Sequence, residues 1–218
     1  MPRIYDPQHE HDACGVGMVA QLDQIASHAI VDDALTILEN LEHRGASGAD
    51  PDSGDGAGIL MQIPHQFILE RFAQLGISVP NKGEYGLGQW MLDPTSADTQ
   101  KATIEASCEH FDLRVLGWRD LPVASEILGA ASRATEPLHS MCVVVPSFIA
   151  TEEELEFRLY LARRRAEHET SAYSSSFSSR TVIYKGMLTS SQLRRYFLDL
   201  GDAEIASAVA LVHSRFST

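Results

Sequence analysis

Cys14 is the residue of this chain whose position most clearly suggests chemistry. It lies in HEHDACGVGMVAQ, residues 9–21, between a charged segment and a Gly-rich apolar one. A cysteine thiol has an ordinary pKa of about 8.5 and needs a base to form the nucleophilic thiolate near neutral pH. If cleavage after Ala13 made Cys14 the N-terminus, its own α-amino group, with an ordinary pKa of about 7.7–8.0, would supply that base. One amino acid would then provide both nucleophile and base.

This mechanism requires the removal of residues 1–13. While Ala13 is attached, the nitrogen of Cys14 belongs to an amide, and its delocalised lone pair cannot accept a proton. The alternative is that Cys14 is a small buried thiol at the start of a first strand. From composition alone this structural role is the commoner one, so both interpretations stay open at this point.

Arg215 is the second candidate, because it follows an apolar strand in HSRFST at the end of the sequence. An unpaired guanidinium is costly to bury, and its fork of N–H groups fits a carboxylate through two parallel hydrogen bonds. A bound carboxylate and a structural ion pair with one of the many acidic side chains both satisfy this pattern. On the pattern alone, the ion pair is the simpler interpretation.

The remaining motifs favour structural roles. GDGAG, residues 54–58, has the glycines of a phosphate loop, but a predicted helix precedes it and a predicted strand follows, which is the reverse of a nucleotide site. The histidines show no spacing typical of metal ligands. Cys108 and Cys142 lie in an amphipathic helix and an apolar strand, where a free thiol acts as a small hydrophobe. We therefore expect no metal site and no second nucleophilic cysteine.

Composition narrows the class of protein. The 218 residues include 17 basic and 30 acidic side chains, giving a formal net charge of −13, which argues against a nucleic-acid or anionic-membrane surface. No apolar segment is long enough to span a bilayer, and the N-terminus lacks the apolar core of a secretory signal. Three widely spaced cysteines form no disulfide framework, so we expect a cytoplasmic, reducing compartment.

The predicted elements that must position these residues are of mixed type. Helices are predicted for His28 to His43, HQFILERFAQLG, Thr99 to Phe111, the segment after the capping box formed by Thr151 and Glu154, and SSQLRRYFLDL. Strands are predicted for CGVGMVAQ, GILMQIP, YGLGQWMLD, LRVLGWRDL, MCVVVP, two pieces of SAYSSSFSSRTVIYKGM, and SAVALVHSRFST. Because several strands follow one another without a helix between them, the order favours a layered α+β sandwich over a doubly wound parallel sheet.

Four long segments together resemble a known family. YDPQHEHDACGVG, LEHRGASGADPDSGDGAGILMQIPH, SRTVIYKGML and HSRFST are similar to the N-terminal glutaminase domain of the glutamate synthase large subunit, a class II glutamine amidotransferase. The resemblance extends from about residue 5 to Thr218. It implies the α+β fold of the N-terminal-nucleophile (Ntn) hydrolases, a four-layer α-β-β-α sandwich, and the division into a propeptide, 1–13, and an amidotransferase domain, 14–218.

The resemblance also implies roles for particular residues. Cys14 would attack the side-chain amide of L-glutamine, and water would hydrolyse the resulting γ-glutamyl thioester. Arg215 would bind the substrate α-carboxylate, with Thr218 as a neighbouring substrate contact. Arg44 and Gly45 match a supporting loop near the nucleophile. The propeptide would be cleaved between Ala13 and Cys14.

In the complete enzyme, the resemblance implies that ammonia passes to further synthase domains of the same polypeptide, which make glutamate from 2-oxoglutarate. FMN and an iron–sulfur cluster would lie outside this segment, which itself is expected to hold no cofactor. Electrons would come from a small reductase subunit or from ferredoxin. No nucleic-acid or membrane partner is expected.

The resemblance further predicts a truncated domain. In the family, an Asn-Gly pair that forms the oxyanion hole and an aspartate that receives the substrate amino group both follow HSRFST. We therefore expect a sandwich that is incomplete at its C-terminal end and a chain that is inactive alone, since losing one oxyanion donor costs about 10²–10³ in rate. Two other functions stay open: a non-catalytic or regulatory module that keeps the fold, and an N-terminal-cysteine amidase with a different amide substrate.

Overall fold

The fold is described from a computed structural model of the chain, for residues 15–41 and 53–214. The helices and strands of these two segments are, in chain order, β1 (Gly15–Ala20), α1 (His28–Asn40), β2 (Ala57–Gln62), α2 (His65–Ala73), β3 (Gly86–Leu92), α3 (Ala97–His110), β4 (Leu113–Asp120), α4 (Ala130–Ala134), β5 (Leu138–Pro146), α5 (Glu152–Glu169), β6 (Tyr173–Ser178), β7 (Thr181–Gly186), α6 (Leu193–Tyr196) and β8 (Val209–Ser214).

The strands form two four-stranded antiparallel sheets. Sheet 1 has the order β1-β8-β2-β7, and sheet 2 has the order β4-β5-β3-β6. In both sheets, strands that are distant in sequence lie side by side; β8, for example, lies between β1 and β2. The antiparallel pairing confirms the predicted layered α+β architecture and excludes a doubly wound parallel sheet for these strands.

Two hydrophobic cores flank sheet 2. Because side chains alternate along a strand, β5 contributes to both. Met141 and Val143 belong to a core that also contains residues of α1 and sheet 1, whereas Cys142 and Val144 pack with residues of α3 and α5. The layers are therefore α1, sheet 1, sheet 2, and α3 with α5. This order is expected for the α-β-β-α sandwich of an N-terminal-nucleophile hydrolase.

The glycines of β1 allow α1 to pack closely on sheet 1. A Cβ atom added at Gly17 would lie 2.4 Å from Cγ2 of Ile37 on α1, so a larger side chain would displace the helix. The other side of β1 is open among the described residues, since Val16 and Met18 are each 64% exposed. The Gly-rich composition of this strand therefore reflects helix packing on one face.

Most predicted elements are found with small shifts at their ends. The first helix ends at Asn40, three residues before its predicted end, and residues 42 and 43 lie outside the described residues. The helix predicted over HQFILERFAQLG ends at Ala73, and Gly76 follows it with φ +74°, the left-handed conformation that glycine favours. The prediction of one helix over 190–200 is wrong. Phe197 has the extended angles φ −86° and ψ 98° and forms an isolated bridge with Val123, so α6 stops before it.

The predicted capping box at the start of α5 is present and gives a testable stability effect. Thr151 Oγ1 accepts a hydrogen bond from the N–H of Glu154 at 3.2 Å, and Glu154 Oε2 accepts one from the N–H of Thr151 at 2.9 Å. We expect Thr151→Ala to lower the free energy of unfolding by about 1 kcal/mol, measured by urea denaturation.

The matched control is Thr103→Ala in the interior of α3. Its hydroxyl bonds only the carbonyl of Thr99 in its own helix, and alanine has the higher helix propensity. We expect this control to leave stability unchanged or slightly raised. Equal unfolding free energies for Thr151→Ala and the unsubstituted chain would contradict the assigned cap.

Candidate active site at the paired ends of two strands

The residues predicted to do chemistry border the described part of the structure. Gly15 and Ser214 are described and adjoin Cys14 and Arg215 in the chain, and Leu41 is the last described residue before Arg44. The predicted site residues themselves lie outside the described residues: Ala13, Cys14, Arg44, Gly45, Arg215 and Thr218. The geometry of the candidate site is therefore the geometry of the strand and helix ends that adjoin it.

The ends of β1 and β8 meet at one edge of sheet 1. The antiparallel register places Gly15 directly opposite Ser214, and such partners lie about 4.5–5.5 Å apart between Cα atoms. Gly15 follows Cys14 and Ser214 precedes Arg215, although some 200 residues of chain separate them. The pairing thus brings together the chain positions next to the predicted nucleophile and the predicted carboxylate-binding arginine.

The end of α1 reaches the same place. A Cβ atom added at Gly15 would lie 3.2 Å from Cβ of Leu41, the residue that caps α1. Leu41 stands three positions before Arg44 and four before Gly45. The segment that leads to the predicted supporting loop therefore leaves the described structure beside the start of β1.

The start of β2 extends this row of residues across sheet 1. Ala57 lies opposite Ser214 on one side and opposite Gly186 on the other, so the row is Gly15, Ser214, Ala57 and Gly186. GDGAG thus leads directly into a strand, and no helix N-terminus follows it to bind phosphate. The motif serves as a closely packed loop next to the candidate site.

Gly54 of this loop packs directly on the backbone after β7. A Cβ atom added at Gly54 would lie 2.2 Å from both the carbonyl carbon and the carbonyl oxygen of Leu188, and 2.3 Å from the nitrogen of Thr189. These are backbone atoms, so they cannot move aside as the tip of a flexible side chain can. Only glycine fits this contact without displacing one of the two segments.

The segment after β7 also contacts the end of β8. Ser190 Oγ donates a hydrogen bond to Ser214 Oγ at 3.3 Å, and Ser214 is only 2% exposed. Ser132 Oγ lies within hydrogen-bond distance of Ser53 Oγ, at 3.1 Å, and of the carbonyl oxygen of Met187, at 3.2 Å, so its one hydrogen is shared between them. Residues 187–190 thus support both strand ends at the candidate site, a role that no motif in the sequence indicates.

Gly54→Ala tests this packing. We expect the variant to lose about 1–3 kcal/mol of unfolding free energy, because the added methyl group must push apart two backbone segments. Gly201→Ala is the matched control, since a Cβ atom there would meet nothing within 4 Å. Urea unfolding of both variants measures the effect, and equal stabilities would show that the contact with Leu188 is not tight.

The other two cysteines are chemically inert. Both are buried, Cys108 on α3 and Cys142 on β5. Burial raises the pKa of Cys108 to about 12, and burial raises that of Cys142 well above its ordinary value. Neither thiol forms a thiolate near neutral pH, so Cys14 is the one cysteine of the chain that can be considered as a nucleophile.

His213 contributes no positive charge to the strand end. Burial and then the nearby Lys185 ammonium lower its pKa from the ordinary 6.5, so the imidazole is neutral near pH 7.

In the part of the chain that the structure describes, no group of three or more His, Cys, Asp or Glu side chains could hold a metal ion. No helix of that part is long and apolar enough to cross a membrane.

Comparison with protein families decides the class of this domain. Residues 14–218 match the family described as glutamine amidotransferases class-II, which is nearly the whole chain. The chain belongs to the class II glutamine amidotransferases. The start of the match coincides with Cys14, and its end includes Arg215 and Thr218.

The relatives of this amidotransferase domain are glutamate synthases. It is 40% identical over 228 residues to the NADH glutamate synthase of Schizosaccharomyces pombe and 38% identical over 223 residues to the NADPH glutamate synthase large chain of Bacillus subtilis. It is also 38% identical over 214 residues to ferredoxin-dependent glutamate synthase 2 of Synechocystis. These alignments cover 99%, 99% and 96% of this chain. They cover 11%, 14% and 14% of the relatives, so the amidotransferase spans about an eighth of their length.

Proposed function

We propose that this amidotransferase hydrolyses L-glutamine to glutamate and ammonia through a thioester on Cys14. The observation that carries the proposal is the pairing of Gly15 with Ser214. If the register of this ladder continued by one residue, Cys14 would stand opposite Arg215. A nucleophile and a carboxylate-binding group would then lie on neighbouring strands, which suits a substrate with an α-carboxylate at one end and an amide at the other.

In the proposed mechanism, the α-amino group of Cys14 takes the thiol proton as sulfur attacks the glutamine carboxamide. The same amine then protonates the departing ammonia, leaving a γ-glutamyl thioester that water hydrolyses. Arg215 holds the α-carboxylate through paired hydrogen bonds, and Thr218 adds a neighbouring contact. The loop of Arg44 and Gly45 supports the nucleophile from the end of α1.

The same chemistry assigns residues 1–13 as a propeptide and residues 14–218 as the amidotransferase domain. One observation supports this assignment: the family match begins at residue 14. A propeptide still attached to Cys14 would leave an amide nitrogen, which cannot act as a base.

We further infer that the whole protein is a glutamate synthase, because the relatives compared above all carry that name. Ammonia released at Cys14 would serve reductive glutamate synthesis from 2-oxoglutarate, with FMN and an iron–sulfur cluster bound by other domains. The relatives' names include NADH, NADPH and ferredoxin as electron donors, so the donor here is one of these three classes. Buried free thiols at Cys108 and Cys142 fit the cytoplasm, the compartment that we infer.

The test is covalent labelling by a glutamine analogue that carries an electrophile at the γ-position, followed by peptide mass spectrometry. We expect a single adduct at Cys14 in protein whose chain begins there, and protection by glutamine. Labelling at Cys108 or Cys142 instead would contradict the assignment. Absence of both labelling and ammonia release from a longer protein that begins at Cys14 and contains this domain would favour a non-catalytic module.

A substrate panel separates glutamine from other amides. We expect glutamine to be hydrolysed faster than asparagine, both followed by ammonia release, and faster than penicillin-like amides, followed by release of their amine. The reason is that Arg215 would require a free α-carboxylate at the distance set by the glutamine side chain. Preference for another amide would favour a different N-terminal-cysteine amidase. The inactivity expected for the 218-residue chain alone is checked by assaying it beside a longer protein that contains it.

A further inference from the structure

A cleft of about 620 Å³ begins at Gly186, the last residue of the row of paired strand ends, and extends from there to the end of β3. It is bordered by the end of β3, α4, the start of β5 and the segment after β7. Its apolar lining includes Met91, Leu128 and Leu188. A volume of this order and a mainly apolar wall with a few polar groups are typical of a small-molecule site.

The charged groups of the cleft are acidic. Among the described residues that line it, Asp93 and Glu136 carry carboxylates, and none is a lysine or an arginine. Glu136 Oε1 accepts hydrogen bonds from Ser125 Oγ and Tyr196 Oη, both at 2.7 Å. Among the described residues no donor bonds the other oxygen, Oε2. The carboxylate of Glu136 is thus fixed in place with half of its hydrogen-bonding capacity unused.

His139 gives a second, independent sign of a ligand. It lines the cleft, is only 3% exposed, and its Nδ1 atom has no hydrogen-bond partner among the described residues. Burial lowers its pKa to about 4, against the opposing effect of the Glu136 carboxylate. A neutral, buried imidazole with an unused ring nitrogen is unusual in a protein interior, where buried polar groups are normally paired.

The aromatic rings around these groups hold them rigidly. The ring centroid of His139 lies 5.7 Å from that of Tyr196 and 4.9 Å from that of Phe197, both in edge-on contact. Tyr173 forms the rim, where the ammonium group of Lys185 already contacts its hydroxyl and its ring. The inner cleft therefore combines an apolar wall, aromatic edges, a fixed carboxylate and a neutral imidazole.

We propose that this cleft binds an organic cation, specifically a protonated primary amine attached to an apolar body. The ammonium group would donate hydrogen bonds to Glu136 Oε2 and, after a small rotation of the ring, to His139. The apolar body would replace water against Met91, Leu128 and Leu188. The glutamine chemistry proposed for Cys14 uses neither Glu136 nor His139, so amine binding in this cleft is tested independently of that chemistry.

The test is a titration of the full chain with 2-phenylethylamine, followed through the amide signals in two-dimensional NMR spectra. For a ligand of this size we expect a dissociation constant on the order of 1 mM, with the shifted signals confined to residues around the cleft. The uncharged 2-phenylethanol, of nearly identical shape, is expected to bind about tenfold more weakly, because it cannot form a charge-assisted hydrogen bond.

Two variants decide whether Glu136 is responsible. Glu136→Gln keeps an acceptor for Ser125 and Tyr196 but removes the charge, and we expect it to weaken amine binding about tenfold. Glu126→Gln makes the same change at an exposed residue outside the cleft lining and should leave binding unchanged. If Glu136→Gln does not fold, the comparison of the amine with the alcohol decides whether the cleft selects a positive charge.

The proposal is overturned by any of three results. The amine and the alcohol could bind equally, which would remove the role of charge. Glu136→Gln could bind the amine as tightly as the unsubstituted chain. Titration to about 20 mM, well above the expected constant, could leave the signals around the cleft unmoved.

Discussion

Replacing Cys14 with alanine is expected to abolish glutamine hydrolysis in protein that otherwise turns over glutamine. In the proposed mechanism the thiol of Cys14 forms the bond to the substrate and its own amino group is the base. The substitution would therefore remove the nucleophile and leave the amine with nothing to activate. Removal of a nucleophile from a comparable acyl-transfer site costs about 10⁶ in rate. We therefore expect a loss of at least about 10⁴-fold, measured as ammonia release, together with complete loss of labelling by the γ-electrophilic analogue.

Cys108→Ala is the matched control for this prediction. The same thiol is removed from a buried position on α3, where its pKa of about 12 excludes a chemical role. We expect rates close to those of the unsubstituted protein, with a modest loss of stability from the smaller side chain. Retained hydrolysis in Cys14→Ala, or a comparable loss in Cys108→Ala, would remove the basis for a cysteine mechanism at the start of β1.

Asp199→Ala is expected to cause the largest loss of stability. Asp199 accepts two hydrogen bonds from Arg119, at 2.7 and 2.8 Å, and a third from Tyr184 Oη at 3.3 Å. The two charged side chains are 4% and 12% exposed. Arg119 lies on β4 of sheet 2 and Tyr184 on β7 of sheet 1, so this carboxylate links the two sheets.

Removing one member of such a pair leaves an uncompensated charge in the interior. We expect Asp199→Ala to lower the free energy of unfolding by about 3–5 kcal/mol, measured by urea denaturation. Glu169→Ala is the control, because it breaks the half-exposed pair between Arg165 and Glu169 on α5 and should cost less than about 1 kcal/mol. If both variants lost the same small amount, the link between the sheets would not be a significant source of stability.

The sequence predicts local structure well where the signal lies within a few residues. Alternating or continuous apolar residues locate the strands, and Thr151 with Glu154 locates the start of α5. It fails at 190–200, where the apolar spacing is helical but Phe197 pairs with Val123 and packs on His139. These partners are distant in sequence, and no pattern within the segment could reveal them.

The candidate site also depends on contacts between residues that are distant in sequence, and a local pattern cannot predict such contacts. Nothing in the spacing of Gly15 and Ser214 indicates that they are neighbours, because the register of a sheet depends on pairing between distant strands. The fit of Gly54 against Leu188 is equally non-local, although the glycine itself shows that close packing occurs there. The resemblance to a family predicts the chemistry. The described ends of β1 and β8 provide the geometry, which no sequence pattern contains.

The most direct test of the account is the identity of the first residue in protein that hydrolyses glutamine. Intact-mass measurement with N-terminal sequencing should find a chain that begins at Cys14, with a free primary amine on the residue that carries the sulfur. Active protein in which residues 1–13 are still attached would contradict the account, because the nitrogen of Cys14 would then be an amide and unable to act as the base.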